Sequence, residues 1–436
     1  MDNPSGSTER CGQREAQKNE RFAFTLLVAS VRWPPETFIW RLVDEAAASG
    51  VRVQVVVSAR QGQKIPAVQG VQIIRSSSWN VPWIERLSAL LHMLALKGLR
   101  HPKALCRMVI LLTGGANKPA GWRKGLVAFF NFLPFVGLKP DVLHFQWNTT
   151  AIECLPLFNY FRCPVVVSCR GSQINVAPHN PRRVEIREGL RKTFSQAMAV
   201  HCVSEWVQEE AARYGLDKSK ARVIRPAVDP NFYDVRKQVG AQRPHSFRIV
   251  STGSLLWVKG YEYSLLAIRR LLDMGVPAEF EIIGSGPEHQ RVMYTLHDLG
   301  LEQHVRLSGQ LSPEGVRERL MQADAFLLSS LSEGISNAAL EAMACGLPVV
   351  TTDCGGMREA VRDGVDGFIV PVRDVDGMAE ALRRLAEDRE LCSRLGHAAR
   401  QRVVKEFGLE QQGAQFIGLY TSLIESAGAH VPKVND

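Results

Sequence analysis

Short apolar runs alternate with amphipathic segments along the first half of this chain. Residues 38–49 carry apolar side chains at helical spacing and stop at Gly50, so they predict a helix. Continuous apolar runs predict buried strands at five places, residues 23–28, 51–57, 141–145, 164–168 and 197–203. This alternation of strand and helix favours a parallel sheet that is covered by helices on both faces.

The same alternation restarts after a polar segment at residues 229–246, which predicts a linker between two domains. Predicted strands follow at residues 247–252, 278–283, 305–307, 325–328, 348–351 and 367–370. Predicted helices follow at residues 261–274, 314–322, 375–387, 391–407 and 409–426. We therefore expect an α/β fold in which two Rossmann-like parallel-sheet domains, residues 22–228 and 247–408, face each other across a cleft. The C-terminal helix, residues 409–436, is expected to pack back toward the first domain.

Length and composition support a globular protein with two domains. The chain has 436 residues, more than one hydrophobic core usually organises. Its nine cysteines are dispersed without a C-x-x-C pair, which indicates reduced thiols and a cytoplasmic protein. Residues 1–21 are polar and lack the apolar core of a signal peptide, so we expect a disordered tail there. The sequence has no apolar run long enough to predict a membrane-spanning helix.

Most of the excess positive charge lies at residues 79–139. This stretch holds nine lysines and arginines against a single acid, Glu85, and they alternate with tryptophans, leucines and phenylalanines. Such a mixture on inserted helices suits an anionic membrane surface at the inner face of the cell membrane, with Lys118, Arg123 and Lys124 as candidate contacts. A helical hairpin with solvated lysines and an ordinary core fits the same pattern. No nucleic-acid motif accompanies the charge, so we do not expect a nucleic-acid partner.

Two loops in the second half follow predicted strands and carry residues suited to phosphate. Lys259 stands just before a predicted helix in the loop at residues 253–260. A lysine at that place can hold a diphosphate as a point charge. Gly284, Gly286 and Pro287 follow the next strand, where glycine permits close approach of the backbone to a ligand. Each loop alone also fits an ordinary strand–helix turn with a surface lysine.

Glu333 and Glu341 lie between two predicted strands and flank a short predicted helix that begins near Ser336 or Asn337. Exposed N–H groups at a helix start attract phosphate. A site that also accepts hydrogen bonds from hydroxyl groups suits a nucleotide sugar. Two solvated glutamates on a helix are the alternative that the bare spacing of the pair would favour.

The residues of this segment resemble a known family. The run at residues 324–370, which includes S-E-G-I-S-N-A-A-L-E-A-M-A-C-G-L-P-V-V, resembles the retaining glycosyltransferases of family 4. The runs W-P-P-E-T-F-I at residues 33–39 and W-V-K-G-Y-E-Y at residues 257–263 are similar to the exopolysaccharide subgroup of that family. The resemblance extends more weakly over residues 22–407 and implies the GT-B architecture of two Rossmann-like domains.

The resemblance assigns roles to individual positions. Glu333 would contact hydroxyls of the donor sugar, Lys259 would bind the diphosphate, and Arg170 would face the sugar from the first domain. Glu341 would hold the ribose hydroxyls. The remaining donor-binding candidates are Gly253, Ser254, Gly284, Gly286, Pro287, Gly334, Ile335, Ser336 and Asn337. The acceptor-side candidates are Glu36, Thr37 and His144.

Three positions depart from the family pattern. Ser254 stands where the family usually has an arginine that helps to neutralise the diphosphate, and Arg170 replaces the usual histidine. In addition, Gln173 stands where an acid is common. We expect a diphosphate site that is one arginine short unless Arg170 or Arg225 reaches it.

The resemblance implies a hexosyltransferase that moves a sugar from a nucleotide-diphosphate sugar to a glycan or lipid-linked acceptor, with retention, in cell-surface polysaccharide biosynthesis. The family's proposed route is front-face attack, and no metal or other cofactor is expected. Asp374 and Asp376 spell the D-x-D metal motif of a different glycosyltransferase fold, but their place before a predicted helix favours Asp374 as its N-cap. Two alternatives stay open: a transferase for a small soluble acceptor, and a nucleotide-sugar-binding protein without turnover.

Overall fold

A computed structural model describes residues 23–29, 36–58, 68–76, 94, 97, 99–114, 121–233 and 246–428. The predicted tail at residues 1–21 and most of the predicted linker, residues 234–245, lie outside these ranges. Within the described ranges the strands form two sheets, and the pairs of named strands whose register is defined are parallel. The predicted α/β fold with two parallel sheets is confirmed.

The first sheet has seven strands in the order β3-β2-β1-β4-β5-β6-β7. Its strands are β1 Thr25–Ala29, β2 Arg52–Ser58, β3 Val71–Ser76, β4 Val142–Phe145, β5 Val165–Cys169, β6 Ala199–Cys202 and β7 Ala221–Val223. The apolar runs did not predict the two strands at the edges of this sheet, β3 and β7. The reason is physical: β3 is only half-buried along its length, so its apolar run is interrupted, and β7 has only three residues.

The second sheet has six strands in the order β10-β9-β8-β11-β12-β13. Its strands are β8 Phe247–Thr252, β9 Ala278–Ile283, β10 Val305–Gly309, β11 Ala325–Leu328, β12 Val349–Thr352 and β13 Gly367–Val370. The strand order reverses between β8 and β11. In open parallel sheets a ligand binds beside the carboxyl ends of the two strands at that reversal. The topology therefore predicts a ligand site beside the loops that follow Thr252 and Leu328.

Helices connect the strands and cover the sheets. Those of the first half are α1 Thr37–Ala48, α2 Pro102–Gly114, α3 Trp122–Phe132, α4 Asn148–Glu153, α5 Leu155–Tyr160, α6 Gly171–Asn175, α7 Glu185–Gln196 and α8 Glu205–Arg213. Those of the second half are α9 Tyr261–Asp273, α10 His289–Asp298, α11 Pro313–Gln322, α12 Asn337–Ala344, α13 Met357–Ala360, α14 Val375–Glu387, α15 Arg389–Glu406 and α16 Leu409–Ser426. None of the helices in the described part of the chain combines the length and the apolar character needed to span a bilayer.

The strands of the second sheet bury both of their faces, as their continuous apolar runs predict. Successive side chains of a strand point to opposite faces. Phe326 accordingly joins one core cluster together with Leu340 of α12, while Leu327 joins another together with Leu265 of α9 and Leu382 of α14. Each strand thus fixes one layer of helices on either side, which holds the ends of β8 and β11 in place.

The chain divides into two compact units. One comprises Met1–His144, Pro156–Pro164 and Leu419–Asp436, and the other comprises Phe145–Leu155 and Val165–Gly418. In the first unit, the hydroxyl of Tyr420 on α16 lies 2.7 Å from Nδ1 of His144, and its ring packs edge-on against Phe24. The second unit contains the whole six-stranded sheet and the loops that follow its strands.

Candidate active site

Lys259 and Glu333 meet at the reversal of strand order in the six-stranded sheet. Lys259 ends the 3₁₀ turn Trp257–Lys259 that follows β8, and Glu333 lies in the loop that follows β11. The Lys259 Nζ atom is 2.6 Å from Oε1 of Glu333, and Ser330 Oγ donates to the same oxygen at 2.8 Å. The two charged side chains are only 21% and 12% exposed, respectively. The structure therefore brings together the predicted cation and the predicted carboxylate in a sheltered place.

Hydrogen bonds to backbone carbonyls join the loop of Lys259 to the loop of Glu333. Ser329 Oγ donates to the carbonyl of Gly260 at 2.8 Å, and the Leu331 N–H donates to the carbonyl of Val258 at 2.7 Å. Tyr261 begins α9 and donates its hydroxyl to the carbonyl of Gly253 at 3.1 Å. Burial raises the pKa of the Tyr261 phenol, with the negative charge of Glu333 adding to the effect. The phenol therefore stays protonated and remains a donor.

The predicted glycine loop after β9 packs against the loop after β8. Leu255 N–H donates to the carbonyl of Ser285 at 3.0 Å. Gly284 has φ +151°, and a Cβ atom there would overlap the carbonyl oxygen of Gly253. A Cβ atom at Gly286 would likewise lie too close to the carbonyl oxygen of Leu255. These glycines thus permit close approach between two loops of the protein, whereas the sequence suggested close approach to a ligand.

The helix that carries Glu341 begins where the sequence predicts. Ser336 is its N-cap, and its Oγ accepts a hydrogen bond from the Ala339 N–H at 3.4 Å. The backbone N–H of Ser336 lies 3.4 Å from the sulfur of Met357, which is a weak acceptor. Ile335 is buried beside it, and Glu341 is half-buried in the second turn of α12. The helix start thus lies directly after the Glu333 loop.

The two arginines proposed as a second cation both bind acceptors of the protein itself. Arg170 Nη2 donates to the Gln146 side-chain oxygen at 3.0 Å, just after β4. Arg225 Nη2 is 2.8 Å from Oε2 of Glu359. Ser254 is exposed in the loop that also holds Lys259. These contacts give each guanidinium an alternative partner to a diphosphate.

The structure describes three of the candidates for the acceptor side, whereas the basic candidates lie wholly or partly outside the described residues. Glu36 and Thr37 are exposed at the start of α1. His144 is fully buried and bonded to Tyr420, so the structure gives it a packing role instead of the exposed place that contact with an acceptor requires. Lys118 lies outside the described residues, as do the side chains of Arg123 and Lys124, whose backbone belongs to α3.

Comparison with known proteins identifies the family. The model for "Glycosyltransferase Family 4" matches residues 35–232, and the model for "Glycosyl transferases group 1" matches residues 234–402. The chain belongs to the family 4 and group 1 glycosyltransferases. Among its relatives is the amylovoran biosynthesis glycosyltransferase AmsK of Erwinia amylovora, which is 31% identical over 229 residues. That match covers 51% of this chain and 56% of the relative, so the chain spans little more than half the length of AmsK.

Two solved structures share the fold over nearly the whole chain. Sucrose-phosphate synthase from Thermosynechococcus elongatus superimposes with a TM-score of 0.72 at 18% identity, covering 92% of this chain and 100% of the synthase. The Anabaena protein HepE, solved in complex with UDP-glucose, has a TM-score of 0.65 at 17% identity, with coverages of 92% and 100%. At these identities the likeness shows the fold.

The D-x-D motif of this glycosyltransferase chain is part of a helix cap, as predicted. Asp374 Oδ1 accepts a hydrogen bond from the Gly377 N–H at 2.9 Å, so its carboxylate caps α14. Asp376 lies in the first turn of that helix and pairs with Arg270 at 2.9 Å. Within the described ranges, histidine, cysteine and acidic side chains form no cluster suited to a metal ion.

Sequence reasoning missed three polar residues at this site. Tyr261 begins the helix that follows the Lys259 loop, and Ser330 lies two residues after the end of β11, so their places beside these loops were an available signal. The third, Asn175, ends α6 and donates from Nδ2 to the carbonyl of Glu333 at 3.0 Å. No local pattern could reveal it, because 158 positions separate the two residues along the chain.

Proposed function

We propose that this chain transfers a hexose-type sugar from a nucleotide-diphosphate sugar to a glycan or lipid-linked acceptor, with retention of configuration, in cell-surface polysaccharide biosynthesis. The observation that carries the proposal is the contact between Lys259 and Glu333 where the strand order of the six-stranded sheet reverses. A sugar diphosphate requires a cation and a helix start for its phosphates and a carboxylate for its sugar hydroxyls, and all three are present at that place.

The chemistry breaks the bond between the anomeric carbon and a phosphate oxygen. Negative charge grows on the departing diphosphate, and preorganised cations and N–H dipoles that receive this charge usually provide the largest catalytic term. The loop after β8 holds Lys259 for that role, and the start of α12, which follows the Glu333 loop, offers N–H groups. The acceptor hydroxyl attacks the anomeric carbon from the side of the leaving group, and its proton passes to the departing phosphate. In this mechanism Glu333 orients the sugar through its hydroxyls, and no metal is required.

Two known proteins support the choice of substrate class. AmsK acts in amylovoran biosynthesis by its description, and the fold neighbour HepE was solved in complex with UDP-glucose. By analogy we favour a uridine-type sugar nucleotide as the first donor to test and a polysaccharide precursor as the acceptor.

The experiment that tests the proposal is a donor screen on the purified chain. Release of nucleoside diphosphate is measured for UDP-, GDP- and ADP-linked hexoses, with and without a membrane lipid extract and with EDTA. We expect release from one base class that increases when the extract is added and persists in EDTA. Tight nucleotide binding without release from any donor would favour a binding protein, and release that needs a metal would contradict the proposed route.

We also propose that the acceptor is presented at an anionic membrane. Arg100 and Lys103 are exposed, and so are the large apolar side chains of Leu99, at 85%, and Ile110, at 66%. Exposed apolar side chains next to basic ones are typical of proteins that bind the bilayer interface. Not all of the basic residues are available, because Lys97 Nζ donates to the carbonyl of Val136 at 2.9 Å.

Flotation with vesicles tests this membrane step separately from catalysis. Vesicles that contain anionic lipid should float the wild-type chain at low salt, and salt should weaken the association. The double variant Leu99→Ser/Ile110→Ser and the triple alanine variant of Lys118, Arg123 and Lys124 should both float less. The matched control is Val404→Ser, which removes an apolar side chain that is 54% exposed on α15. Flotation that salt and these changes leave unaltered would contradict the membrane proposal.

A further inference from the structure

Asn175 holds the backbone of the Glu333 loop from one side. It is the last residue of α6, the short helix that follows β5. Its Nδ2 atom donates to the carbonyl oxygen of Glu333 at 3.0 Å and to Oγ of Ser332 at 3.1 Å. Both residues belong to the same compact unit. A side chain on one sheet's connecting helix thus fixes a loop that leaves the other sheet.

Backbone contacts from Gly355 and Gly356 also hold this loop. The N–H of Gly356 donates to the carbonyl of Gly334 at 2.7 Å. Gly355 has φ +59°, and a Cβ atom there would overlap the carbonyl oxygen of Glu333. The loop is therefore fixed on both sides of the residue whose carboxylate reaches Lys259.

The orientation of the Asn175 amide follows from its partners. A carbonyl oxygen only accepts hydrogen bonds, so the atom that faces Glu333 must be the amide nitrogen. The amide oxygen of Asn175 is buried and has no partner among the described residues. The hydrogen bonds of the amide nitrogen to the Glu333 carbonyl and to Ser332 therefore set the orientation of the amide.

We propose that Asn175 is a positioning residue for sugar transfer and that it acts through Glu333. By fixing the Glu333 carbonyl, it sets where the carboxylate stands relative to Lys259. This inference rests on the proposed function. A displacement of about 1 Å in a catalytic group can cost about 10²-fold in rate. The loss of Asn175 should therefore lower turnover much more than it lowers the affinity for nucleotide. The reason is that Asn175 donates to the backbone of Glu333 and to Ser332, so its loss leaves the Lys259 ammonium in place.

The test compares variants that differ in their ability to donate. Asn175→Asp keeps the shape of the side chain but presents a carboxylate that cannot donate to the Glu333 carbonyl. Asn175→Ala removes the group, and Asn175→Gln keeps an N–H donor on a longer side chain. The matched control is Asn180→Ala, because Asn180 is an exposed asparagine whose side chain accepts from the Arg182 N–H at 3.0 Å. Measured quantities are kcat, KM for the donor, the Kd of nucleoside diphosphate, and amide hydrogen exchange across residues 331–336 without ligand.

We expect Asn175→Asp and Asn175→Ala to lower kcat at least about tenfold, while KM and Kd change less than about threefold. Exchange across residues 331–336 should rise in both variants, Asn175→Gln should recover part of kcat, and Asn180→Ala should match the wild type. Wild-type kcat and exchange in both variants would overturn the inference. A parallel loss of kcat, of affinity for nucleoside diphosphate and of thermal stability would also overturn it, because that pattern indicates only a structural role. If the wild type releases no nucleotide from any donor, the proposed function fails, and hydrogen exchange alone still decides whether Asn175 holds the loop.

Discussion

The Lys259 ammonium lies 2.6 Å from the Glu333 carboxylate, and this contact joins two loops that leave neighbouring strands of the same sheet. Both side chains are mostly buried. A buried charge without a partner is costly, so each of them stabilises the other when no ligand is present. A diphosphate that binds Lys259 must therefore share the ammonium with Glu333 or displace it.

Replacing Glu333 with glutamine should separate binding from transfer. The amide keeps the size of the side chain but removes the negative charge that competes for Lys259. We expect the Kd of nucleoside diphosphate to fall by about three- to tenfold, since release from an ion pair of this burial is of the order of 1 kcal/mol. Transfer should slow by about 10²-fold or more, because the group that orients the sugar is changed. Titration calorimetry and steady-state kinetics measure the two effects. Weaker nucleotide binding with unchanged turnover would show that Glu333 has been assigned the wrong role.

Replacing Glu341 with alanine should weaken the binding of nucleotide more than it slows transfer. If this carboxylate holds the ribose hydroxyls, its loss removes hydrogen bonds to a charged acceptor, each worth about 1.5–3 kcal/mol. We expect the Kd of nucleoside diphosphate to rise at least about tenfold, with a smaller effect on kcat at saturating donor. Glu318→Ala, which removes an exposed carboxylate on α11, is the control. Equal affinities of Glu341→Ala and the wild type would place the ribose elsewhere.

Glu359 should matter for stability more than for catalysis. Its carboxylate accepts from the backbone N–H groups of Glu205 and Trp206 at the start of α8, at 3.1 and 3.0 Å, and pairs with Arg225. Glu359→Ala removes the acceptor of these two N–H groups. We expect it to lower the free energy of unfolding by about 2 kcal/mol, measured by urea denaturation. Glu209→Ala, which breaks an exposed pair with Lys218, should change it by less than about 0.5 kcal/mol.

Arg225→Ala decides between two roles for the same guanidinium. If Arg225 serves to pair with Glu359, the Arg225→Ala variant should have a lower free energy of unfolding and an unchanged affinity for nucleotide. A clear loss of affinity without a loss of stability would show instead that Arg225 supplies the second cation that Ser254 does not.

Stability should fall in mild acid because of His201. Its Nε2 atom donates to the carbonyl of Ile224 at 2.8 Å, so the neutral ring must accept at Nδ1 from Ser168, 2.7 Å away. Burial, reinforced by the charge of Arg170, lowers the pKa of His201 to about 3. The unfolded chain therefore binds a proton below its ordinary pKa, while the folded chain binds it only near pH 3, so stability is lost as the pH falls between these values.

Urea denaturation at pH 7.5 and pH 5.5 measures this term. The wild type should lose about 1.4 kcal/mol more than His201→Gln between the two pH values, since the unfolded pKa of histidine is about 6.5. Equal losses in the two proteins would show that His201 does not remain neutral on folding.

Local pattern was enough for the elements that surround the candidate site. The strands β8, β9 and β11 and the helix α14 begin and end at the predicted residues, because buried parallel strands produce continuous apolar runs and Asp374 marks a helix start. The edge strand β3 was missed because its side chains are only partly buried. The hydrophobic pattern of a sequence reflects burial, so it predicts strands least well where the strand is only partly buried.

Contacts between distant residues were beyond the reach of that pattern. Nothing near Arg225 in the sequence indicates its pairing with Glu359, 134 positions later. The same holds for Asn175 and Glu333. Such contacts depend on how helices and loops pack in three dimensions, and they determine which charges remain available for a ligand.

Binding of nucleoside diphosphate to the wild type and to Lys259→Ala tests the central claim most directly. Calorimetric titrations with UDP, GDP and ADP, with Lys405→Ala on α15 as the control for loss of a lysine, measure the affinity at the contact between Lys259 and Glu333. We predict that one diphosphate binds the wild type and the control equally, and that Lys259→Ala weakens its binding at least about tenfold, because a hydrogen bond to a charged group contributes about 1.5–3 kcal/mol. Equal affinities of Lys259→Ala and the wild type, in a variant that remains folded, would contradict the account.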